Sequence, residues 1–209
     1  MTARTIVLAL AALACAACLR KKEPVIGERF EDRFERTTLG SDWKSTGGHY
    51  TIVDGVLKAQ GCRNHTLWLR RRLPPEVEVS FEAWSDTDEG DIKFEMFGDG
   101  HSTSTGEGAY TATGYVLVLG GWNNSLSIIA RMDEHGQDRK TTTKIKVEPG
   151  RKYRVRARQS GGRLDWWIDG SPFLEYVDPV PLAGRGHEYF GLNNWESPVS
   201  FDNLTIRPL

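Results

Sequence analysis

The stretch Val77-Glu78-Val79-Ser80-Phe81-Glu82-Ala83 alternates apolar and polar residues without interruption. This period of two is typical of a β-strand with one face in the core and the other in water. The same alternation, or a shorter apolar run, recurs in further segments: 92–96, 116–119, 126–130, 152–158 and 164–168. No segment of helical length shows a convincing apolar stripe with the helical period, so the sequence predicts an all-β chain.

Turn residues separate the predicted strands. Asp54-Gly55 and Asp169-Gly170 each divide two short runs, and Gly161-Gly162 divides the basic strand from the next one. Such pairs supply the positive φ angles that tight hairpins need. Short strands, frequent turns and 22 glycines favour an antiparallel sandwich of two sheets. The Gly/Ser/Thr-rich stretch 98–114 predicts a long loop, and such loops in a compact domain are often functional.

The charges are nearly balanced, with 27 Lys and Arg residues against 28 Asp and Glu residues. A chain without a basic excess gives no indication of nucleic acid as a partner. The glutamates of 77–83 and the arginines of 152–158 are expected to pair across a sheet or to face water. Cys62 stands alone in the body of the chain, and we expect it to be a small buried residue rather than half of a disulfide.

The N-terminal segment predicts export. Arg4 precedes an apolar run, 6–17, that is shorter than the roughly 20 residues needed to span a bilayer. A charged start, a short apolar run and small residues before a break form the pattern of a signal peptide. The segment Cys15-Ala16-Ala17-Cys18 resembles a bacterial lipoprotein box, which implies acylation of Cys18 after cleavage. Cys15 departs from this box, because it stands where leucine is usual.

We therefore predict three parts: a signal peptide over 1–18, a tether over 19–28 and one domain over 29–209. The domain has a size that suits one substantial core, since domains commonly hold about 100–200 residues. The expected location is the bacterial cell envelope, outside the cytoplasm, with the membrane reached only through the lipid anchor. Plain secretion, if Cys18 is not acylated, and an uncleaved anchor remain as alternatives.

A set of motifs runs along most of the predicted domain. They include Phe30-Glu31-Asp32, Asp42-Trp43, Tyr50-Thr51-Ile52-Val53-Asp54-Gly55-Val56-Leu57, the stretch 77–83, Gly90-Asp91-Ile92, Trp167-Ile168-Asp169-Gly170, Gly191-Leu192 and 198–206. With these motifs the chain resembles a jelly-roll domain of the concanavalin A-like lectin/glucanase superfamily. It is most similar to the subgroup called 3-keto-disaccharide hydrolase-like domains. The resemblance implies two curved sheets, a last strand beside the first, and a concave face that holds sugar.

The segment 89–95 carries the first candidates for chemistry. Laminarinase-type glucanases of the same superfamily carry the motif Glu-x-Asp-x-Glu on the concave face. Asp91 and Glu95 match the two outer positions of this motif, but Lys93 stands at its central position. On a regular strand the outer pair lies about 13 Å apart, against about 5–9.5 Å in glycosidases. We expect Lys93 to lower the pKa of both carboxyl groups, which disfavours a general acid. Three interpretations stay open: a hydrolytic pair, sugar-binding groups, or a solvated strand face.

Tryptophan and asparagine cluster at two further places. Indole rings stack on sugar faces, and amides bind neighbouring hydroxyl groups, so these clusters are candidate ligand-binding residues. Asn-Asn pairs also make turns, and tryptophans also serve packing, so this interpretation stays open as well. The candidates are Trp122, Asn123, Asn193, Asn194 and Trp195.

The histidines supply the last candidates. His65 is a candidate catalytic residue, and His101 is a candidate for either chemistry or ligand binding. Asp99, His101 and Glu107 fall in the predicted loop, where they could hold calcium. No histidine pair has zinc-ligand spacing, so we expect no structural metal and no cofactor other than this calcium.

These features predict a protein that recognises a glycan or sugar derivative on the concave sheet face. The alternative is a glycoside hydrolase with Glu95 or His65 as acid or base. If its substrate is a 3-keto-glycoside, the C3 ketone acidifies the neighbouring C–H bond and permits proton abstraction. A third class is a non-catalytic structural or adhesion protein of the envelope. Motifs made of turn and core residues do not decide among these functions.

Overall fold

The computed structural model describes residues 22–105 and 110–209, and it confirms the predicted antiparallel jelly-roll sandwich. Short β-branched and aromatic segments between turn residues form the strands. Their bounds are β1 Phe30–Asp32, β2 Trp43–Ser45, β3 His49–Val53, β4 Val56–Gln60, β5 Leu67–Arg72, β6 Val77–Ser85, β7 Ile92–Gly98, β8 Tyr115–Gly120, β9 Leu126–Arg131, β10 Lys140–Thr142, β11 Tyr153–Ser160, β12 Arg163–Ile168, β13 Ser171–Val177, β14 Tyr189–Asn193 and β15 Val199–Pro208.

The strands form two sheets, which we call the back sheet and the front sheet. The back sheet has the order β13-β12-β11-β6-β15-β4-β3, with β1 added beside β15. The front sheet has the order β10-β9-β8-β7-β14-β5-β2. Phe30 pairs with Ile206, which confirms that the last strand lies beside the first. The three predicted hairpins are also present, as the pairs β3–β4, β11–β12 and β12–β13.

The core lies between the inner faces of the two sheets. Phe94 of the front sheet meets Phe81 of the back sheet edge-on, with ring centroids 5.1 Å apart, and it meets Trp166 at 5.8 Å. Such edge-to-face pairs add to the stabilisation from area burial. Cys62 is buried as expected, and burial raises the pKa of its thiol to about 11. On the outer face of the back sheet, Glu78 lies opposite Arg158, as the charge pattern predicted.

The outer face of the front sheet departs from the sequence expectation. Alternation predicted that Lys93 and Glu95 would face water, but every residue of β7 is buried. The reason is that two loops fold over this face: Tyr110 of the long loop after β7 contacts Glu95, and Glu134 of the loop between β9 and β10 contacts Lys93. Tyr110 and Ala112 of the long loop pack in a second apolar cluster with Val116 and other outward residues of β8 and β9.

The first described residues lie against β5. The backbone N–H of Ile26 donates to the carbonyl of Arg72 at 2.9 Å, and the N–H of Arg72 donates to the carbonyl of Pro24 at 2.8 Å. The described end of the predicted tether therefore packs on the domain. The predicted signal peptide and Cys18 lie outside the described residues. Within 22–105 and 110–209, no helix has the length and apolar character needed to cross a bilayer.

Candidate functional site

A cleft of about 420 Å³ opens on the outer face of the front sheet. Lys93 on β7 and Val118 on β8 pair across the sheet and form part of its floor. Both side chains point outward because their neighbours along each strand, such as Phe94 and Leu117, belong to the core. Two indoles and four carboxyl groups line the walls: Trp122 and Trp195, with Glu89, Asp91, Glu134 and Glu196.

Lys93 is the charged centre of the floor. Its side chain is 3% exposed, its Nζ donates to Asn64 Oδ1 at 2.8 Å, and it lies 2.8 Å from Glu134 Oε2. Burial disfavours the charged amine, but the carboxylates of Asp91 and Glu134 outweigh burial and raise the pKa of Lys93 above its usual value. Lys93 therefore stays protonated and presents a fixed ammonium group rather than a nucleophilic amine.

Asp91 stands at the entrance to β7, where Gly90 and Asp91 both have positive φ. Its Oδ2 accepts a hydrogen bond from the backbone N–H of Trp195. Burial raises the pKa of Asp91 and outweighs the lowering by Lys93 and by this N–H group. Lys93 acts on both carboxyl groups in the expected direction and lowers their pKa values. The net shift is nevertheless upward, because enclosure disfavours the charged carboxylate more than the ammonium favours it.

Glu95 lies below the floor and not among the residues that line the cleft. Its carboxylate accepts hydrogen bonds from Tyr110 Oη at 2.7 and 2.8 Å, from Thr66 Oγ1 at 2.8 Å and from Asn193 Nδ2 at 3.2 Å. Burial raises the pKa of Glu95 in spite of these donors. Tyr110 lines the cleft and covers Glu95, so the structure does not present Asp91 and Glu95 to a ligand as a pair.

A left-handed turn presents Trp122 and Asn123 to the cleft. Trp122 has φ 51° and ψ 59°, Asn123 has φ 55° and ψ 49°, and Asn124 has φ 58°. This conformation costs about 1–2 kcal/mol for an ordinary residue. The Asn124 side chain holds the turn, because Nδ2 donates to the carbonyls of Asp88 and Val147 at 2.8 and 2.7 Å, and Oδ1 accepts from the N–H of Val147 at 2.8 Å.

Glu134 and His135 reach the cleft from the loop between β9 and β10. Glu134 Oε1 lies 3.8 Å from His135 Nε2, and the His135 ring meets Trp122 edge-on at 5.6 Å. Arg139 contacts both Glu134 and Trp122. Its Nη1 donates to the backbone carbonyl of Glu134 at 2.6 Å, and its guanidinium lies 5.1 Å from the centre of the Trp122 ring.

Sequence reasoning missed Tyr110, Glu134 and His135, and it named the segment 89–95 without giving Glu89 a role in the site. The one signal that could have marked Glu134 and His135 is the run of three ionisable residues, Asp133-Glu134-His135, between two predicted strands. Glu134 contacts Lys93 of β7, and His135 contacts Trp122 of the turn after β8. No local pattern in the sequence encodes these contacts.

The candidate histidines do not line the cleft. His65 Nδ1 shares a 2.7 Å hydrogen bond with Thr103 Oγ1, and the exposed His101 contacts Asp99. Burial alone would raise the pKa of Asp99, but hydrogen bonds from Ser102 and His101 hold it below its usual range. Glu107 lies outside the described residues, so calcium in this loop stays a prediction. In the part of the chain that the structure describes, no three His, Cys, Asp or Glu side chains are grouped to hold a metal ion.

The second asparagine pair is part of the scaffold. Asn193 is fully buried and supports Thr66 and Glu95. Asn194 is also buried; its Oδ1 accepts from the N–H of Cys62 at 3.2 Å, and its Nδ2 donates to the carbonyl of Ser197. Of the predicted ligand-binding residues, the structure therefore brings Lys93, Trp122, Asn123 and Trp195 together around the cleft, along with Asp91.

Three solved structures share the fold. The carbohydrate-binding module CBM66 from Bacillus subtilis has a TM-score of 0.62 at 14% identity, over 80% of this chain and 96% of that one. The carbohydrate recognition domain of Emp47p has a TM-score of 0.64 at 12% identity, over 87% and 95%. A Bacillus subtilis protein of unknown function with a galectin-like fold has a TM-score of 0.58 at 12% identity, over 88% and 97%. These identities show the fold alone.

Sequence comparison identifies the family. No curated protein matches the chain. One family model, described as the 3-keto-alpha-glucoside-1,2-lyase-like domain, matches residues 29–207, which span nearly all of the two sheets and every residue of the cleft. The chain therefore belongs to the family of 3-keto-alpha-glucoside-1,2-lyase-like domains.

Proposed function

We propose that the chain binds a sugar or sugar derivative in the cleft of the front sheet. The observation that carries this proposal is the pairing of two indoles, Trp122 and Trp195, with amide and carboxyl groups around one concavity. Sugars offer an apolar ring face and a rim of hydroxyl groups, and such a lining matches both. The family description and the carbohydrate-binding proteins of the same fold support the proposal.

A second candidate function is cleavage of a 3-keto-glycoside by elimination, as the family description suggests. The specific observation in its favour is the buried ionic group of Lys93, Asp91 and Glu134 at the floor of the cleft. Burying charges is costly, and binding a neutral sugar alone does not require it. Charged groups enclosed in a cleft are, in contrast, typical of sites for proton transfer.

The chemistry of elimination gives each of these groups a role. A carboxylate, for which Glu134 is the candidate, takes the hydrogen at C2 as a proton. The electron pair moves toward the C3 carbonyl, whose oxygen the Lys93 ammonium stabilises as an enolate. The enolate then forms the C1–C2 double bond and breaks the bond from C1 to the glycosidic oxygen. The departing oxygen takes a proton, for which the candidate donor is the protonated form of Asp91, favoured by the pKa that burial raises. In that form, Glu134 is the carboxylate that pairs with Lys93.

The test compares one glycoside in two oxidation states. The purified full chain is mixed with 4-nitrophenyl α-glucoside and with its 3-keto form, and binding and nitrophenol release are both measured. Elimination predicts release from the keto form alone, and pure recognition predicts saturable binding without release.

Replacing Trp122 or Trp195 by alanine should weaken binding about tenfold. The control Trp167→Ala, on the back sheet, should not. Absence of both binding and release would contradict the proposed function and favour a structural role.

The proposal includes a location. Export and acylation at Cys18 would hold the domain outside the cytoplasm on a bacterial membrane. The short distance in sequence between Cys18 and the segment that packs on β5 would keep the cleft close to that membrane. Sugars of the envelope, or sugars captured there, are then the expected ligands.

A further inference from the structure

We propose that the cleft selects its ligand by charge: it takes neutral or amine-bearing sugars and rejects sugars that carry a carboxylate or another acidic group. This inference rests on the proposed function and adds the substrate class to it. It follows from the balance of charges around the cleft and from the way in which the cations there are already engaged.

Acidic groups outnumber basic ones at this site. Glu89, Asp91, Glu134 and Glu196 line the cleft, and Lys93 is the one lysine or arginine among the described residues that line it. Glu95 adds a further carboxyl group below the floor, behind Tyr110. His135 can supply one more positive charge when it is protonated, but it is exposed and stands beside Glu134.

The nearby cations are committed to groups of the protein. Lys93 Nζ is within 2.8 Å of both Asn64 Oδ1 and Glu134 Oε2, with Asp91 as a further charged neighbour. Arg63 Nη2 pairs at 2.7 Å with Glu196, which lines the cleft. An acidic ligand would have to compete with these carboxylates for each cation.

Arg139 is engaged as well, but by uncharged groups. Its Nη1 donates to a backbone carbonyl of the loop at 2.6 Å, and its guanidinium lies over the Trp122 ring. The carboxylates around the cleft would therefore attract an ammonium group on a ligand. They would mainly repel a carboxylate on a ligand.

Glu89 is the group that most directly tests this idea. It is exposed at the mouth, it lines the cleft, and its charge contributes to raising the pKa of Asp91, so its field reaches the floor. Interactions of such partly solvated charges are strong over a few ångströms and are screened by salt. Charge selection should therefore weaken both in high salt and when Glu89 is neutralised.

The experiment uses three ligands that differ at one position. Titration calorimetry with the full chain compares the methyl α-glycosides of glucose, 6-amino-6-deoxyglucose and glucuronic acid, and their 3-keto forms if only those bind. We expect the 6-amino sugar to bind at least as tightly as glucose, and the glucuronide to bind at least about tenfold more weakly than glucose at low salt. A glucuronide that binds within about threefold of the glucoside, or more tightly, would overturn the inference.

Two further measurements identify the cause of the selection. The affinity ratio of glucoside to glucuronide should shrink in Glu89→Gln and at high salt, and it should remain as in the parent in the control Glu175→Gln, on the exposed face of β13. If the affinity ratio changed neither in Glu89→Gln nor at high salt, shape rather than charge would exclude the glucuronide. That result would also overturn the inference. If none of the sugars binds, the proposed function itself fails, which is a different result from a cleft that binds all three alike.

Discussion

At the scale of single residues, Lys93 links the stability of this protein to its site. The sequence shows Lys93 as the residue that interrupts a glucanase-like pattern of carboxylates. The structure shows why a lysine is tolerated there: it is 3% exposed and compensates the carboxylates of Asp91 and Glu134. A buried ion pair of this kind contributes little net stability while it is intact. It is costly when one partner is removed, because the other charges remain buried.

Lys93→Met should therefore lower the free energy of unfolding by about 3 kcal/mol at neutral pH. The loss should shrink as the pH falls. Without Lys93 the pKa of Asp91 rises further above its unfolded value, so the folded variant takes up a proton at a pH where the unfolded chain has not yet done so. Stability that is missing at neutral pH is thus regained as the pH falls through this raised pKa. Urea unfolding between neutral and mildly acidic pH measures both effects.

The matched control is Lys152→Met, which removes a half-exposed lysine whose Nζ lies 3.9 Å from Glu82. Exposed pairs of this kind contribute at most about 1 kcal/mol. A loss in Lys93→Met no larger than in Lys152→Met, or one that grows toward acidic pH, would show that Lys93 does not compensate buried carboxylates.

At the scale of elements, the turn between β8 and β9 shapes the cleft. Gly-Gly-Trp-Asn-Asn at 120–124 predicted either a turn or a sugar platform, and the structure shows that the turn itself presents Trp122 and Asn123. Asparagine tolerates the left-handed region better than most residues, whereas tryptophan does not. The strain at Trp122 persists because the Asn124 side chain ties the turn to two other loops. Such strain is common at functional sites.

Asn124→Ala should release this turn. Losing three hydrogen bonds, two of them buried, should lower the free energy of unfolding by about 2 kcal/mol. Sugar affinity should fall about tenfold because Trp122 is no longer held in place. Thermal unfolding and calorimetry measure the two effects.

Asn203→Ala is the control for Asn124→Ala, because Asn203 also has a positive φ (53°) but lies on the back sheet. It should lose stability without losing affinity. If Asn124→Ala behaved in the same way, the turn would be a purely structural element.

At the scale of the whole molecule, the proposed anchor decides where the site acts. Cys18→Ala should stop fatty-acid labelling of the protein in cells and move it from the membrane fraction to the soluble fraction, because a lipid chain is then absent. The control is Cys15→Ala, which leaves the proposed acceptor intact and should remain labelled. Labelling that survives Cys18→Ala but is lost in Cys15→Ala would move the anchor to Cys15, and membrane association without any labelling would contradict acylation.

The sequence by itself determined the fold of this molecule. Alternation in 77–83, together with Asp-Gly and Gly-Gly turns, predicted strands and hairpins that the structure confirms. These features are local: a residue alternates faces because the strand has a period of two, and a glycine turns because its φ can be positive. Motifs of this kind also sufficed to identify the family.

Only the tertiary structure decided which polar residues form the site. Lys93 and Glu95 looked solvent-facing from their alternation, and they are buried because two loops from further along the chain cover them. Glu134 meets Lys93, and Tyr110 meets Glu95, across separations along the chain that no local pattern encodes. Local periodicity determines which face of a strand a side chain occupies. Whether that face meets water depends on what packs over it, and that is decided only when the whole chain has folded.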